Sequence, residues 1–259
     1  MIGVRALLLA AGFGVRLKPL TEIWPKCLMP VSSRPLLEHW LCTLYRNNIQ
    51  NVLVNVHHHR HVVDEFLDRQ RFKGWVSSVY EHELLGTAGT LLENWKKSVQ
   101  QTMLLIHADN WCQCDFSDFL YFHMHRRPGN TVMTMMTFRS KTPETCGIVE
   151  LDDAGIVQGI HEKVSNPPGN LANGAVYLLE PEILKWLMNN PLKTDFSTDV
   201  LPEFRGQIAT WENTEIHRDI GTISSLLAAQ LDPAPPFCWA ETDDWQHAFM
   251  RNPIHGMLS

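Results

Sequence analysis

The chain has 259 residues, 44% of them hydrophobic, and a formal net charge of −6 at pH 7. This length suits one large α/β domain or two small ones, and the apolar fraction is sufficient for a sizeable core. The negative net charge argues against a general nucleic-acid binder. No apolar run approaches the length of a membrane span, and the N-terminus lacks the basic-then-apolar order of a signal peptide. We therefore expect a cytoplasmic protein that binds neither nucleic acid nor membranes.

Apolar runs alternate with helical patterns in the first half of the chain. The expected strands are Val4–Leu9, Val52–Val56, Val76–Tyr80 and Met103–Ile106, and the expected helices are Leu36–Arg46, Val62–Arg69, Thr87–Trp95 and Phe116–His125. This alternation predicts an α/β fold with a Rossmann-like, mostly parallel sheet flanked by helices. Ligands of such sheets bind beyond the carboxyl ends of the strands.

The second half of the chain has a different pattern. Its expected strands are Thr131–Phe138, Cys146–Leu151, Ile156–Ile160 and Leu171–Leu179, and a helix follows Pro181. The short turns between these strands predict a smaller, β-rich insertion. The composition changes again after Gln230. We expect one domain over residues 1–230 and a C-terminal tail over 231–259 that wraps this domain or contacts a second copy in a homodimer.

We expect no functional role for the cysteines or for a cluster of histidines. The six cysteines show no paired Cys-x-x-Cys framework, so free thiols in a reducing compartment are expected. The segment His57–His61 contains four histidines. It has no Cys or Asp at metal-ligand spacing, and we expect it to be a surface between a loop and a helix.

A glycine-rich loop follows the first expected strand. Gly12 and Gly14 permit a tight turn whose N–H groups face a ligand, and the cations Arg16 and Lys26 come shortly after. A strand, a glycine turn and fixed positive charge form a pattern that binds polyphosphates. The alternative is a plain turn after an edge strand. The sequence does not match the dinucleotide-binding fingerprint, because Leu17 stands at the position of its third glycine. It does not match the P-loop motif either.

The whole stretch Leu7–Val31 resembles the signature of the sugar-1-phosphate nucleotidyltransferases. That signature is roughly Leu-Ala-Ala-Gly-x-Gly-x-Arg-(Leu/Met)-x-Pro-Leu-Thr, three residues, Pro-Lys, then Pro-Val. The resemblance covers roughly residues 2 to 230. It implies an enzyme that condenses an NTP with a sugar 1-phosphate and releases pyrophosphate. It further implies that Arg16 holds the terminal phosphates, that Lys26 lies near the α-phosphate, and that the loop residues bind the nucleotide: Leu9, Ala10, Ala11, Gly12 and Gly14.

Two aspartates match the positions at which the family holds its catalytic metal. Asp109 follows the fourth apolar run; taken alone, it reads as a cap of the next helix. Asp219 lies in an Asp-Ile-Gly-Thr segment, preceded by Phe196–Pro202, which resembles a late helix of the family. The resemblance implies that Asp109 and Asp219 bind Mg²⁺, which prefers oxygen ligands. Ala108 replaces the usual glycine and Ile223 the usual proline, and neither change removes a ligand.

The segment from Glu83 to Gly89 lies between an expected strand and an expected helix. On the residues alone, it is a helix start with Thr87 as the N-cap. It resembles the loop with which the family reads the base, which implies nucleotide binding by Glu83, Gly86, Thr87 and Ala88. The form Leu-Gly-Thr-Ala-Gly is typical of guanylyl-transferring members, so GTP is favoured. Uridylyl or thymidylyl transfer is the alternative.

The sugar side of the family pattern is matched in several places. The matching residues, implied to bind the sugar phosphate, are Gly147, Glu162, Lys163, Asn173 and Gly174. Val164 stands where the family has a proline after Glu-Lys. A manno-configured hexose or heptose is favoured over another hexose or an amino sugar. A regulatory subunit that binds nucleotide-sugars without turnover is the alternative from another class. Transfer to a phospho-alcohol such as phosphocholine ranks last, because it leaves the sugar-side matches without a role.

Overall fold

The computed structural model describes residues 3–96, 100–239 and 242–258, so the outermost bounds of the predicted domain and tail, Met1 and Ser259, lie outside the described residues. The helices are α1 Leu20–Ile23, α2 Leu36–Arg46, α3 Arg60–Leu67, α4 Gly86–Trp95, α5 Phe116–Tyr121, α6 Pro181–Asn189, α7 Ile223–Ala229 and α8 Asp244–Met250. The strands are β1 Arg5–Leu9, β2 Pro30–Val31, β3 Arg34–Pro35, β4 Val52–Val56, β5 Val76–Tyr80, β6 Met103–His107, β7 Asn110–Gln113, β8 Met133–Arg139, β9 Gly147–Leu151, β10 Val157–Glu162, β11 Leu171–Leu179, β12 Ile208–Asn213 and β13 Ile216–Asp219. Within the described ranges, every helix is too short or too polar to cross a membrane.

The chain divides into two compact units. The first unit comprises Met1–Leu7, Leu84–Ile106 and Cys114–Glu215. The second unit comprises Leu8–Glu83, His107–Gln113 and Ile216–Ser259. Each unit is therefore assembled from segments that are distant in sequence.

The first unit contains most of the β structure of the second half of the chain. Strand β11 pairs antiparallel with β6, β8 and β9, while β12 pairs parallel with β8. Strands β9 and β10 form an antiparallel hairpin in which Gly147 lies opposite Glu162. The hairpin character predicted for this region is thus present. It places residues from β9, β10 and β11 on neighbouring strands.

The second unit combines parallel strands with two short antiparallel pairs. Strands β4 and β5 are parallel, and β4 is buried along its whole length. Strand β2 pairs with β3, and β7 pairs with β13. A core cluster in this unit joins residues from both ends of the chain: Leu17, Leu20, Met29, Val31, Leu36, Trp111, Ile220, Leu226, Ala229 and Ile254.

The α/β class predicted from the sequence is confirmed. The expected bounds of α2, β4, β5 and β11 agree with the structure to the residue, because these elements have clear apolar periodicity. The expected helix Phe116–His125 is divided, since α5 ends at Tyr121 and a π-helical turn continues to Arg126. The strands β7 and β13 were not expected.

The expectation that all cysteines are free thiols is wrong for one pair. Cys42 on α2 and Cys238 near the C-terminus form a disulfide, although they are 196 residues apart. Cys27, Cys112 and Cys114 are free, as is Cys146. A spacing rule that looks for nearby cysteines does not detect a pair that the folded chain brings together.

Segments after residue 230 belong to the second unit and pack against its earlier segments. The ring of Trp245 lies 4.9 Å from that of Phe66, and Asp243 forms ion pairs with Arg69 and Arg71. Ile254 is fully buried in the core cluster. The C-terminal segment therefore contributes apolar and charged contacts to this unit.

Candidate active site

Four charged side chains meet in the second unit. The Lys26 Nζ lies 2.8 Å from Asp109 Oδ2 and 3.1 Å from Asp219 Oδ1. The Arg16 Nη2 lies 2.9 Å from Asp219 Oδ2. Two positive and two negative charges thus form one connected group, which we name the charge cluster. All four were predicted as catalytic or metal-binding residues, and the structure brings them together.

The pairing of β7 with β13 explains how the two aspartates become neighbours. Asp219 lies opposite Asn110 in the antiparallel register, next to Asp109. Strand β7 is fixed in turn by two tryptophans: Trp40 Nε1 donates to the Asn110 carbonyl, and Trp111 Nε1 donates to Asp232. A short strand pair therefore connects carboxylates that are 110 residues apart in sequence.

Burial and charge set the protonation states in the cluster. Burial lowers the pKa of Lys26, but the carboxylates of Asp109 and Asp219 outweigh it and hold this pKa above its ordinary value. Burial raises the pKa of Asp109, but the charge of Lys26, together with His107 and hydrogen bonds, outweighs it and the net shift is downward. Lys26 is therefore a cation and Asp109 an anion at neutral pH. Burial raises the pKa of neighbouring Cys27 to about 12, so that this side chain stays a thiol.

The exposure of the four groups differs in a way that suits ligand binding. Only 7% of the Lys26 side chain is exposed, against 40% for Asp109, 49% for Asp219 and 66% for Arg16. Lys26 is a fixed charge at the base of the cluster, whereas the other three groups are accessible from solvent.

Buried neighbours in sequence hold these side chains in place. Arg16 is followed by Leu17 and Asp219 by Ile220, and both apolar residues are fully buried in the core cluster. Burying a leucine or isoleucine side chain stabilises the fold by roughly 1.5–3 kcal/mol, so the backbone at both positions is well anchored. A Cβ at Gly221 would collide with the Arg16 guanidinium and lie 2.8 Å from Asp219 Oδ2. A glycine at 221 therefore makes room for the Arg16–Asp219 pair.

The two glycines of the glycine loop (residues 10–16) have different roles. Gly14 has a φ of +61°, and a Cβ there would lie 2.7 Å from Thr21 Cγ2. Its carbonyl accepts a hydrogen bond of 3.0 Å from Thr21 Oγ1. A Cβ at Gly12 would have no protein atom within 4 Å among the described residues. Gly14 is required by the fold of the loop, whereas the space next to Gly12 is open to a ligand.

The start of the loop is held by two buried polar residues that the sequence pattern did not single out. The Ala10 N–H donates to Asn55 Oδ1 at 2.7 Å, and Asn55 Nδ2 donates to Glu81 Oε1 at 3.1 Å. Leu9 is fixed through its carbonyl, which accepts from the Ala108 N–H. A buried asparagine requires hydrogen-bond partners. Asn55, the one polar residue in the apolar run of β4, was the available signal.

The residues predicted to read the base belong partly to each unit. Glu83 is exposed at the end of a segment of the second unit. In the first unit, α4 begins at Gly86, so Thr87 is not its N-cap and that alternative is wrong. The Thr87 Oγ1 accepts from the Phe196 N–H at 2.7 Å, and the Ala88 N–H donates to the Thr194 carbonyl at 2.8 Å.

Gly86 is restricted by the same neighbouring segment. Its φ is +75°, and a Cβ would lie 2.5 Å from the carbonyl oxygen of Thr194. The segment that follows Thr194 is thus in direct contact with the start of α4. The Thr87 hydroxyl and the Ala88 N–H have partners within the protein, which shows a structural role for both.

The predicted sugar-phosphate residues come together in the first unit. A Cβ at Gly147 would lie 2.5 Å from Glu162 Oε2 and 3.9 Å from the Asn173 Cβ. Lys163 follows Glu162 in left-handed backbone, with a φ of 51°, and its Nζ lies 3.3 Å from Glu162 Oε1. Gly174 follows Asn173 within β11. Four of the five residues therefore lie on β9, β10 and β11, which are neighbouring strands, and Lys163 directly follows β10.

Asn173 is oriented by a buried tyrosine. Its Nδ2 donates to the Tyr177 hydroxyl at 2.7 Å, and its Oδ1 accepts from the Ala175 N–H at 2.9 Å. Tyr177 is fully buried; burial raises the pKa of its hydroxyl, which also bonds to Ser197. These contacts fix which face of the Asn173 amide presents oxygen and which presents nitrogen.

The donor set of the charge cluster is compatible with a divalent cation. Carboxylate oxygens of Asp109 and Asp219 both lie within 3.1 Å of a single point, the Lys26 Nζ, so the two groups can share one cation. Hard oxygen ligands suit Mg²⁺, which uses few carboxylates and shares the others with phosphates. Within the described residues, no group of three or more His, Cys, Asp or Glu is placed to hold a metal ion.

Comparison with known proteins finds a matching family model and relatives similar in sequence. A family model described as nucleotidyl transferase matches residues 5–234. The chain is 28% identical over 232 residues to the mannose-1-phosphate guanylyltransferase catalytic subunit beta of Drosophila melanogaster. That alignment covers 87% of this chain and 61% of the fly protein. The chain thus spans about three fifths of the length of this relative.

Solved structures share the fold at lower sequence identity. A Bacillus anthracis protein, provisionally named a glucose-1-phosphate thymidylyltransferase and solved with a sucrose, superposes with a TM-score of 0.79 and 21% identity. The match covers 88% of this chain and 94% of that one. HddC from Yersinia pseudotuberculosis complexed with GMP-PN gives a TM-score of 0.72 and 21% identity, with 87% and 97% covered.

Proposed function

Because the chain belongs to the nucleotidyl transferase family, we propose that it transfers a nucleotidyl group from an NTP to a sugar 1-phosphate. The products are a nucleotide-sugar and pyrophosphate. GTP is the favoured nucleotide, and a manno-configured hexose or heptose the favoured sugar. The choice of GTP and mannose rests on the Leu-Gly-Thr-Ala-Gly segment at residues 85–89 and on relatives named as mannose-1-phosphate guanylyltransferases.

The charge cluster is the observation that carries the proposal. The reaction brings an anionic sugar phosphate to an anionic triphosphate, so repulsion between them must be offset by fixed cations. Lys26 supplies a buried ammonium whose charge is maintained by two carboxylates. Arg16 supplies an accessible guanidinium, which binds phosphate oxygens in a bidentate manner. A plain surface salt bridge would not require the buried Lys26 at its centre.

The proposed chemical step needs no general base. An ionised oxygen of the sugar phosphate attacks the α-phosphorus of the NTP, and the bond from that phosphorus to the oxygen bridging to the β-phosphate breaks. The electron pair leaves with pyrophosphate, and no proton has to move. Positioning and charge stabilisation supply the catalysis, as is general for transfer at phosphorus.

Individual residues receive the following roles under this proposal. Arg16 and the N–H groups near Gly12 bind the β- and γ-phosphates and stabilise the departing pyrophosphate. Lys26 stabilises charge that develops at the α-phosphate. Glu83 accepts hydrogen bonds from the base. Lys163 binds the sugar phosphate, and its neighbour Glu162 accepts hydrogen bonds from sugar hydroxyls.

Asp109 and Asp219 are the residues proposed to hold Mg²⁺. When bound, the ion would neutralise phosphate charge and polarise the phosphorus–oxygen bonds. The two carboxylates are accessible and are already oriented by Lys26 and Arg16. The ionised state of Asp109 at neutral pH, which Lys26 maintains, is the form that binds a cation.

Pyrophosphate release is the experiment that tests the function. The purified protein is incubated with Mg²⁺, each NTP or dTTP, and a panel of sugar 1-phosphates that includes mannose, glucose and manno-heptose. Release with GTP and a manno-configured sugar is expected. Release with UTP or dTTP instead would preserve the reaction and contradict the assignment of the base. Tight nucleotide-sugar binding without release would favour a regulatory subunit.

The metal assignment is tested in the same assay with a matched pair of variants. Asp109→Asn should weaken the dependence of the rate on Mg²⁺ concentration, because it removes one anionic ligand. Asp68→Asn removes an exposed carboxylate of the same unit and should leave the Mg²⁺ titration unchanged. An unchanged titration for Asp109→Asn would reassign the ligand.

A further inference from the structure

Two histidines of the His57–His61 segment bind one backbone carbonyl in the second unit. The Nε2 of His58 lies 3.1 Å from the carbonyl oxygen of Thr21, and the Nε2 of His59 lies 3.0 Å from the same oxygen. A carbonyl oxygen can only accept hydrogen bonds, so both rings carry a hydrogen on Nε2. A nitrogen that donates has no lone pair for a metal. These contacts therefore explain the two histidines without a metal site.

Thr21 connects this carbonyl to the glycine loop. Its Oγ1 donates to the Gly14 carbonyl at 3.0 Å, and its Cγ2 fills the space next to the left-handed Gly14. Thr21 is buried, with 2% of the residue exposed. A displacement of Thr21 would thus remove the support of Gly14, two residues before Arg16.

The histidines also contact the loop through a ring. Phe13, between the two loop glycines, is half exposed. Its ring centroid lies 5.3 Å from that of His57 and 5.6 Å from that of His58. His57 is fixed on the other side, because its Nδ1 donates to the Glu81 carbonyl at 2.8 Å. Hydrogen bonds to Thr21 thus support the glycine loop through Gly14, and ring contacts support it at Phe13.

We propose that His58 and His59 are positioning residues that hold the glycine loop in the conformation that binds the NTP phosphates. The inference rests on the proposed function, in which this loop and Arg16 bind the β- and γ-phosphates. A loop that populates its binding conformation only part of the time binds its ligand more weakly, in proportion to that fraction. Two donors on the Thr21 carbonyl raise the fraction of molecules whose loop has the binding conformation before the nucleotide binds.

Replacement of both donors, followed by their restoration, tests the inference. The double variant His58→Leu/His59→Leu removes the Nε2 donors, whereas His58→Gln/His59→Gln retains a side-chain N–H at similar reach. His61→Leu is the matched control, because it removes an exposed ring of the same segment. Binding of GTP with Mg²⁺ is measured by calorimetry, and the KM of the sugar 1-phosphate is measured by pyrophosphate release.

The Leu double variant should raise the Kd of GTP on the order of tenfold, as for the loss of two supporting hydrogen bonds. The KM of the sugar 1-phosphate should stay unchanged, and the Gln double variant should recover most of the affinity. Thermal unfolding confirms that each variant folds, and the single Leu variants replace the double variant if it does not. Wild-type GTP affinity in a folded Leu variant would overturn the inference.

Cleavage by trypsin supplies a readout that is independent of the reaction. Arg16 is exposed, and the bond after it leads to the buried Leu17, whereas Lys18 precedes a proline and is resistant. A loosened loop should be cut faster after Arg16, as seen by mass spectrometry. Faster cutting in the Leu variant, with no binding of any NTP or of dTTP even by the wild type, would support the positioning role and refute the proposed function. Unchanged cutting together with unchanged GTP affinity would refute the positioning role.

Discussion

Lys26 donates a 2.8 Å hydrogen bond to Asp109, a residue 83 positions further along the chain. The lysine is nearly inaccessible, while the aspartate is open to solvent. Each of the two groups shifts the pKa of the other toward its charged form. The Lys26 ammonium is thus fixed in place by two carboxylates before any ligand binds. Such preorganised charge is an efficient source of transition-state stabilisation.

We predict that Lys26→Ala lowers kcat by about 10²-fold or more, as for the loss of one charge contact in the transition state. The variant also leaves Asp109 and Asp219 without their shared cation, so thermal unfolding must be measured beside the rate. Lys18→Ala is the matched control, since it removes a lysine of the same loop region that pairs only with exposed Glu22 among the described residues. Near wild-type turnover of folded Lys26→Ala would remove the catalytic role of Lys26.

The two loop glycines give a second, internally controlled prediction. Gly12→Ala adds a methyl group to open space, so its unfolding temperature should be unchanged while the KM of the NTP rises roughly tenfold or more from contact with the ligand. Gly14→Ala places a Cβ in left-handed backbone, at a cost of about 1–2 kcal/mol, and against Thr21.

The contrast between the two variants is the measurement that matters. The unfolding temperature of Gly14→Ala should be lower than that of Gly12→Ala. NTP affinity of the folded Gly12→Ala variant should fall without a loss of stability. If Gly12→Ala binds the NTP as the wild type does, the phosphates do not approach the backbone at Gly12.

The fold could be predicted from the sequence where periodicity is strong. Helix α2 has an apolar face over 11 residues and strand β4 is buried along its whole length, and the expected bounds of both agree with the structure. The pair β7–β13 could not be predicted, because both strands have only four residues and β13 is not buried along either face. Yet this pair brings Asp109 and Asp219 together. The resemblance to a family suggested the two aspartates, and their register comes from the structure alone.

The supporting residues of the site were harder to predict than its charged residues. Asn55 and Tyr177 act through side-chain hydrogen bonds to residues 45 positions and 4 positions away, and neither contact follows from a local pattern. An N-cap was the alternative to nucleotide binding for Thr87, but its hydroxyl accepts from the Phe196 N–H instead. The partner lies 109 residues away, so local propensity could not reveal it. For Asn55 and Thr87, contacts between residues distant in sequence decided the role.

Tyr177→Phe should affect the sugar side of the reaction. The variant keeps the buried ring and removes the hydroxyl that accepts from Asn173. We expect a severalfold higher KM for the sugar 1-phosphate, an unchanged KM for the NTP and a loss of stability of about 1 kcal/mol. Tyr121→Phe, on an exposed tyrosine of the same unit, is the control. Equal increases in both KM values would contradict a role specific to Asn173.

Asp243 gives a prediction about stability and pH. Burial raises the pKa of this carboxyl, but hydrogen bonds from Arg69 and the Gln246 N–H, with the charge of Arg71, bring it below its ordinary value. A group whose pKa is lower in the folded state stabilises the fold above its unfolded pKa of about 3.9. That stabilisation is lost as the pH falls through the folded value. Asp243 also caps α8, and asparagine preserves a cap of this kind.

Asp243→Asn should therefore lower the unfolding temperature at pH 7, with a loss of about 1.5–3 kcal/mol for a hydrogen bond between charged groups. The difference from the wild type should shrink as the pH is lowered below about 4, because the Asp243 carboxyl is then protonated in the unfolded chain and, at still lower pH, in the folded protein as well. Asp244→Asn removes the neighbouring exposed carboxylate and should show little difference at either pH. A difference between Asp243→Asn and the wild type that stays constant from pH 7 to pH 3 would show that packing, not the charge of Asp243, holds the C-terminal segment on Arg69.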